Sequence, residues 1–199
     1  MEAKLLRATV KPVSLIGSVA GICYGNMSES RRRVETCVKS GHLSVLEHAS
    51  ATWHISDVSR ACTHQLVRHR LASYTQRSQR YCKEGMRAEW YVVPPSIADN
   101  GMAEAFEQDM NRAMSAYNAY IAEGVKPEDA RFLLPEATKT QIVATMNARE
   151  LFHFLDERLG RDDESCHAQW EIRELARAMM NALMEEEEWD ELLAMRYLQ

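Results

Sequence analysis

The sequence lacks any apolar run of the roughly 18 residues that a membrane-spanning helix requires. It also lacks an internal repeat, a low-complexity linker and a break in composition along its 199 residues. No signal-peptide pattern is present at Met1-Glu2-Ala3-Lys4. We therefore expect a single cytoplasmic domain over residues 1–199, with no membrane partner and a chain long enough to bury a sizeable core.

Cysteines with metal-ligand spacing are also missing. The five cysteines are scattered and never spaced as CxxC: Cys23, Cys37, Cys62, Cys82 and Cys166. This pattern indicates neither a zinc site nor a disulfide framework, and we expect no metal. The pattern favours reduced, partly buried thiols, although the count alone leaves a catalytic cysteine open.

Acidic residues are absent from the segment Val58 to Lys83, whose five arginines and one lysine give it a charge of +6. The whole chain has a net charge of -5, so a solvated basic helix end is less favoured than an anion site. A nucleotide needs only such a local patch, whereas a duplex nucleic-acid binder normally has a basic domain. An RNA-binding protein would interleave aromatic residues with the arginines, and only Tyr74 and Tyr81 qualify. We therefore expect a nucleotide ligand and no nucleic acid.

The distribution of apolar and turn residues predicts an α+β fold, with a small mostly antiparallel sheet flanked by helices and a helical C-terminal half. Strands are predicted at residues 4–10, 49–56 and 89–93, helices at residues 13–24, 29–39 and 59–69, and an extended loop at residues 74–80. Gly41 fits a helix stop and Ser59 an N-cap. From Gly101 onward the pattern is typical of helices to the end.

A predicted helix from Thr140 to Gly160 has apolar residues on every side of its wheel, which indicates burial in a core or between subunits. Its polar members include Asn147, Arg149, His153 and Arg158. Buried arginines must either pair with an acid or bind an anion. Pairing with Glu150, Asp156 or Glu157 and binding of an external anion both agree with the pattern.

Two groups of hydrogen-bond donors lie in the basic segment. They are Gln65, Arg68 and His69 in the first group, and Gln76, Ser78 and Arg80 in the second. A continued helix would place the first group on one face, and an extended chain would place the second group on one side. Arginine suits phosphate oxygens, while Gln and Ser suit a base edge or a sugar. The combination predicts a nucleotide site without identifying the nucleotide.

The order of residues in these segments is specific enough to compare with known families. The motif Arg68-His69-Arg70 is followed, after seven residues, by Ser78. The neighbouring blocks are GHLSVLEH at residues 41–48, QRSQRY at residues 76–81 and AQWEIR at residues 168–173. In this order and spacing they resemble the flavin-dependent thymidylate synthases, and the resemblance covers roughly residues 4 to 185.

The resemblance implies an enzyme that methylates dUMP to dTMP. The carbon would come from 5,10-methylenetetrahydrofolate, and NADPH would supply reducing equivalents through FAD, which carries the redox chemistry. It also implies a homotetramer with shared active sites and no cysteine nucleophile. The alternative is a non-catalytic flavin- or nucleotide-binding relative, which would be favoured by loss of Ser78, Arg80 or Arg158; all three are present.

By position in the family motifs, the resemblance also implies roles for single residues. The FAD-binding set would be Ser44, Arg68, His69, Arg70, Gln76, Asn147, Ala148, Arg149 and His153. The dUMP-binding set would be Gln65, Leu66, Val67, Arg68, Gln76, Arg77, Ser78, Gln79, Arg80, Arg131 and Arg158. Many relatives carry Glu in place of Gln76, and Arg131 would reach dUMP from another subunit.

The two catalytic residues implied by the resemblance are Arg158 and Ser78. Arg158 would polarise the uracil, and one well-placed donor in a water-poor site contributes ~3 kcal/mol to transition-state stabilisation. Ser78 would orient dUMP rather than attack it, because a nucleophilic serine needs a base within hydrogen-bond reach.

Overall fold

One antiparallel sheet supports most of the candidate site residues. The computed structural model describes residues 1–85, 89–160 and 166–197 of the chain. Its strands are β1 (Glu2–Ala8), β2 (Ser50–Ser59), β3 (Ala72–Gln76) and β4 (Lys139–Asn147), in the spatial order β1-β2-β4-β3. Each neighbouring pair is antiparallel, and the α+β class predicted from the sequence is confirmed.

Helices precede, connect and follow these strands. They are α1 (Pro12–Gly21), α2 (Arg31–Lys39), α3 (Arg60–Leu66), α4 (Pro95–Asp99), α5 (Ala103–Ala122), α6 (Pro127–Ala130), α7 (Ala148–Leu159), α8 (Trp170–Met184) and α9 (Trp189–Tyr197). Short 3₁₀ helices occupy Ile22–Tyr24, Leu43–His48 and Arg131–Leu133. Gly41 follows α2 with φ +74°, the left-handed conformation that a helix stop requires.

The two central strands alternate between a buried and a more exposed face. The buried side chains are Ala51, Trp53 and Ile55 in β2, and Thr140, Ile142, Ala144 and Met146 in β4. Their apolar members join one hydrophobic core with side chains of α7, α8 and α9. On the opposite face the hydroxyls of Thr52 and Thr145 lie 3.0 Å apart, and His54 Nε2 lies 2.9 Å from Gln141 Oε1. The period of two therefore gives the sheet one apolar and one polar face.

The prediction of a single helix from Thr140 to Gly160 is wrong. Residues up to Asn147 form β4, and α7 begins at Ala148. The apolar residues covered every side of the wheel because a strand period of two had been combined with a helix period of 3.6. Asn147 marks the change, since its side-chain oxygen accepts a hydrogen bond from the Glu150 N–H at 2.9 Å and caps α7.

Of the other predicted helices and strands, some are confirmed and others are wrong. The first strand, the first two helices and the strand at residues 49–56 are confirmed with shifted ends. The predicted loop at residues 74–80 begins inside β3, and the strand predicted at residues 89–93 is only an isolated β-bridge. The helical pattern predicted from Gly101 onward is interrupted by β4. Within the three described ranges, no helix is long and apolar enough to cross a membrane.

Candidate functional site

The start of the basic segment is fixed by hydrogen bonds from two directions. Ser59 caps α3 as predicted, with its hydroxyl oxygen accepting from the Cys62 N–H at 2.9 Å. The buried carboxylate of Glu171, in α8, accepts from the Ser59 N–H at 2.7 Å and from its hydroxyl at 2.5 Å. The helix ends at Leu66, so His69 does not lie on it as predicted.

The three residues of the motif at 68–70 point in different directions. His69 is 5% exposed, whereas Arg68 and Arg70 are exposed. The two arginine side chains make no hydrogen bond or ion pair with any residue that the structure describes. The Tyr74 hydroxyl lies 2.9 Å from the carbonyl oxygens of His69 and of the last residue of α3, which fixes the loop. Two exposed cations, without a partner in the part of the chain that the structure describes, therefore flank a fixed imidazole.

His69 is the centre of a group that we name the histidine cluster: His69, Glu150, His153, Phe154 and Arg158. Arg158 Nε donates to His69 Nε2 at 3.1 Å, and His69 Nδ1 lies 3.5 Å from Glu150 Oε1. Because the guanidinium only donates, Nε2 must accept, and the imidazole proton resides on Nδ1, facing the carboxylate. The ring centroids of His153 and Phe154 lie 5.5 and 4.9 Å from that of His69.

Burial sets the protonation state of this cluster. Burial, together with the charges of Arg158 and His153, lowers the pKa of His69 from its ordinary value of 6.5 to about 4. Burial also raises the pKa of Glu150, whose residue is 3% exposed. His69 is therefore neutral near pH 7 and acts as a fixed acceptor for Arg158. The contact between His69 and Glu150 is then not a salt bridge between two charged groups.

A second group of predicted residues surrounds the start of α7. Ala148 is buried and donates its N–H to the Ala49 carbonyl at 2.8 Å. Arg149 and His153 are exposed, so their predicted burial is wrong. Arg149 pairs with Glu47, at 2.6 Å between Nη1 and Oε1, on the 3₁₀ helix that also carries the exposed Ser44. Of the two interpretations left open for the arginines of this helix, pairing with Glu150, Asp156 or Glu157 does not hold for Arg149, because its partner is Glu47.

Arg149 and His153 share a cavity of about 280 Å³ with the apolar side chains of Leu43 and Leu71. Leu71 directly follows the motif at residues 68–70. The structure thus brings together the end of that motif, the start of α7 and the loop beside Ser44. An apolar wall with nearby guanidinium groups suits a planar heteroaromatic ring joined to phosphates.

The segment after β3 forms a compact turn instead of the predicted extended array. Gln76 points inward, with its amide donating to the Thr63 hydroxyl at 2.8 Å. The Ser78 hydroxyl oxygen accepts from the Arg80 N–H at 3.2 Å. Arg77 pairs with Glu84 at 2.5 Å. The predicted common side of Gln76, Ser78 and Arg80 is therefore not formed.

A cavity of about 400 Å³, which we name the arginine cavity, lies beside this turn. It is lined by Arg60, His64, Gln79, Arg131, Phe132, Leu134, Pro135 and Glu136. Arg131 Nε donates to the Glu128 carbonyl at 3.0 Å, and Arg80 pairs with the Glu128 carboxylate at 2.9 Å. The adjacent residues Gln79 and Arg80 thus lie close to Arg131, which is distant from them in the sequence.

The remaining predicted site residues have structural partners of their own. The Gln65 amide donates to Gln169 Oε1 at 3.3 Å, and Gln169 in turn caps α8. Leu66 lies in the hydrophobic core, whereas Val67 is exposed at the end of α3. The predicted common face of Gln65, Arg68 and His69 does not exist, because the helix has ended before Arg68.

Three residues of these groups were missed by the sequence reasoning. For Glu150 the sequence predicts only a possible pairing with arginine, and its position three residues after the Asn147 cap is the available signal. For Tyr74 the sequence predicts only an aromatic side chain among the arginines of the basic segment. Arg60 was part of the basic segment, but nothing in the sequence connects it to Arg131, 71 residues away.

Other features of the described chain lie apart from these groups. A cavity of about 530 Å³ is lined by Tyr91, Trp170 and several acids and contains none of the predicted site residues. No cluster of His, Cys, Asp or Glu suited to a metal ion is found among residues 1–85, 89–160 and 166–197. Cys62 is fully buried, and burial raises the pKa of its thiol.

Comparison with known proteins is consistent with this arrangement. Residues 4–187 match the family described as "Thymidylate synthase complementing protein". The chain is 48% identical to a Pyrococcus furiosus protein named "Flavin-dependent thymidylate synthase", covering 92% of this chain and 79% of that protein. It is 47% identical to a namesake from Pyrococcus abyssi (94% and 81% covered) and 42% identical to one from Geobacter sulfurreducens (90% and 81% covered). With a family match over nearly its whole length, the chain belongs to the flavin-dependent thymidylate synthases.

Proposed function

We propose that this enzyme converts dUMP to dTMP, with 5,10-methylenetetrahydrofolate as carbon donor and NADPH-reduced FAD as hydride source. The membership of its family supports thymidylate biosynthesis. The observation that carries the proposal to this chain is the bond from Arg158 Nε to neutral His69 at 3.1 Å. It holds a cation at a fixed place beside Arg68 and Arg70, which have no partner within the described ranges.

The oxidation states define what the active site must supply. Methylenetetrahydrofolate delivers carbon at the level of formaldehyde, so a hydride is needed to make a methyl group at uracil C5, and the C5 proton must leave. FAD, held by the residues around the start of α7 and reduced by NADPH, would supply that hydride. The protein must therefore bind two anionic ligands close together, stabilise negative charge on the uracil ring and restrict water.

The residues around the start of α7 fit a flavin dinucleotide. Arg68 and Arg70 are exposed cations without a partner in the described chain, which suits the pyrophosphate. Leu43 and Leu71 offer an apolar wall in the same cavity as Arg149 and His153. We assign to FAD the whole predicted set: Ser44, Arg68, His69, Arg70, Gln76, Asn147, Ala148, Arg149 and His153. Gln76 is the least direct member, because its amide is turned toward Thr63.

Arg158 is proposed as the cation that stabilises charge on the uracil. Glu150 faces the Nδ1 proton of His69, and Nε2 then accepts from Arg158, which leaves the guanidinium oriented before the substrate arrives. Such preorganised charge in a water-poor site contributes about 3 kcal/mol to the transition state. The neutral state of His69 matters here, because a protonated ring could not accept from Arg158.

We propose that the nucleotide is held by residues of the turn and of the arginine cavity. The assigned set is Gln65, Leu66, Val67, Arg68, Gln76, Arg77, Ser78, Gln79, Arg80, Arg131 and Arg158. Ser78 orients dUMP through its hydroxyl and is not a nucleophile. Its oxygen accepts from the Arg80 N–H, and no histidine or carboxylate in the described chain is bonded to it.

The positions of the two groups favour sites shared between copies of the chain. Arg131 lines the arginine cavity, whereas Arg158 lines a different cavity of about 560 Å³ beside Cys166 and His167. Because both arginines are assigned to dUMP, we propose that Arg131 and the turn come from one copy and Arg158 from another, in a homotetramer.

The proposal is tested with purified protein and defined substrates. The protein should be yellow, with flavin absorption, and should form dTMP only when dUMP, methylenetetrahydrofolate and NADPH are all supplied. Omission of each substrate in turn is the control, and dTMP is measured chromatographically. A yellow protein that forms no dTMP would identify the non-catalytic relative, and a protein that binds neither FAD nor dUMP would refute the proposal.

A further inference from the structure

Arg60 has a position that the residue assignments leave unexplained. It follows directly on Ser59, and its N–H donates to the Thr138 carbonyl at 3.0 Å, so its backbone is fixed between α3 and β4. Its side chain is half-buried and lines the arginine cavity. It makes no hydrogen bond or ion pair with any of the residues described by the structure. A guanidinium that has lost water and gained no partner is costly.

The acids around Arg60 offset only part of that cost, because its pKa stays below the ordinary value. Burial lowers the pKa of Arg60, the negative charge of Glu136 opposes this, and the positive charge of Arg131 lowers the pKa again. Glu136 is not within ion-pair distance of Arg60, and its carboxylate lies 3.5 Å from His64 Nδ1. Glu84, the other nearby acid, already pairs with Arg77. Two half-buried guanidinium groups thus face one cavity, and an anion between them would relieve both the repulsion and the desolvation.

We propose that Arg60 binds the phosphate of the nucleotide from the same side as Arg131. The inference rests on the proposed function and extends its nucleotide site by a residue outside the motifs at 68–70 and 76–81. Two planar forks suit the oxygens of a phosphate monoester. The cavity volume of about 400 Å³ lies in the range of small-molecule sites, and the buried Gln79 offers an amide for the rest of the nucleotide.

The experiment compares dUMP with deoxyuridine, which lacks only the phosphate. FAD-loaded wild type, Arg60→Ala and Arg60→Lys are titrated with both ligands. In Arg60→Ala, the loss of a charge-assisted bond should weaken dUMP binding about ten-fold to one-hundred-fold relative to wild type. Deoxyuridine binding should stay within about two-fold of wild type. Arg60→Lys keeps the charge without the planar fork and should lie between. Arg177→Ala, an exposed residue of α8, is the matched control and should bind both ligands normally.

The ratio of the two affinities distinguishes the possible results. Both ligands are measured on the same sample, so a smaller folded fraction does not imitate a loss of phosphate binding. An unchanged ratio in Arg60→Ala, whether neither ligand or both are weakened, would overturn the role of Arg60 alone. Wild-type protein that binds FAD but not dUMP would instead overturn the proposed function.

Discussion

The histidine cluster and the arginine cavity both gather positive charge, but they satisfy it differently. In the histidine cluster, Arg158 is bonded to a neutral imidazole that in turn faces Glu150. In the arginine cavity, Arg131 has a bond to a backbone carbonyl, and Arg60 has no partner among the described residues. Arg158 therefore has an acceptor before any ligand binds, whereas we propose that an anion completes the arginine cavity.

This difference indicates two tasks. A cation that is already oriented costs no reorganisation when charge develops, so the histidine cluster suits transition-state stabilisation. Cations that repel each other until an anion arrives suit ground-state binding. The comparison therefore predicts that substitutions in the histidine cluster change rates more than affinities, and that those in the arginine cavity do the opposite.

The largest expected effect is that of Arg158→Ala. Its removal should lower the single-turnover rate of methylation by about two to three decades, with a smaller loss of dUMP affinity. Arg158→Lys keeps the charge but loses the Nε–H that donates to His69, and should recover little. Rates, dUMP affinity and thermal melts are measured on the same samples. A normally folded Arg158→Ala variant with a normal methylation rate would exclude Arg158 from the chemistry.

The next effect distinguishes Arg68, which adjoins the histidine cluster, from Arg60 of the arginine cavity by the ligand that each is proposed to bind. Arg68→Ala should weaken FAD binding by about one to two decades, because it removes a charge-assisted bond to phosphate. Arg60→Ala is the matched control, since Arg60 lies in the arginine cavity. Titration of apoprotein with FAD provides the comparison, and equal FAD affinities of the two variants would contradict the assignment.

A smaller effect concerns stability and pH. The pKa of His69 in the folded protein is about 4, below its ordinary value of 6.5. The unfolded chain therefore takes up this proton first, so the contribution of His69 is complete above pH 6.5 and is lost as the pH falls toward 4. The loss is at most about 3 kcal/mol. The raised pKa of Glu150 has the opposite sign and offsets part of it, because that contribution is lost as the pH rises.

Unfolding by urea at several pH values measures this loss of stability. Between pH 7 and 4, wild type should lose more stability than His69→Gln, whose amide oxygen still accepts from Arg158. His42→Gln, at an exposed histidine, should behave as wild type. Parallel curves for wild type and His69→Gln would mean that His69 is already protonated in the folded state or is not buried.

The smallest expected effect is that of the cysteines. Replacement of each by Ala should leave dTMP formation by the folded protein within about two-fold. Burial raises the pKa of Cys62 and of Cys37, which disfavours the reactive thiolate. Cys166 is the most demanding test of this prediction, because its Sγ donates to the Arg158 carbonyl at 3.0 Å. A loss of several decades in one folded variant, with FAD and dUMP binding intact, would show a catalytic cysteine.

The sequence predicted the fold class and the basic segment because both depend on local composition and period. It misassigned Thr140 to Asn147, where alternation of Thr140, Ile142, Ala144 and Met146 was the overlooked strand signal. The same error led to the prediction that Arg149 is buried, whereas its side chain is exposed in the structure. A short strand followed directly by a helix is ambiguous when one period is applied to both.

Pairings between distant residues were beyond sequence reasoning. The bond between His69 and Arg158 spans 89 positions, and the arrangement of Arg60 with Arg131 depends on how α3 meets β4. Asp156 was one of the possible partners for an arginine of its own helix, and in the structure it pairs with Arg196 of α9. Charge alone allows many partners, and the packing of the elements selects among them.

The central claim is that the histidine cluster and the arginine cavity act on one nucleotide from different copies of the chain. Its most direct test mixes inactive variants and allows subunits to exchange. Arg131→Ala with Arg158→Ala should restore activity, with about one quarter of the sites built from intact halves at equal mixing. Arg131→Ala with Arg80→Ala, which alter the same side through Glu128, should restore none. No recovery in the first mixture with exchange confirmed, or equal recovery in both, would contradict the account.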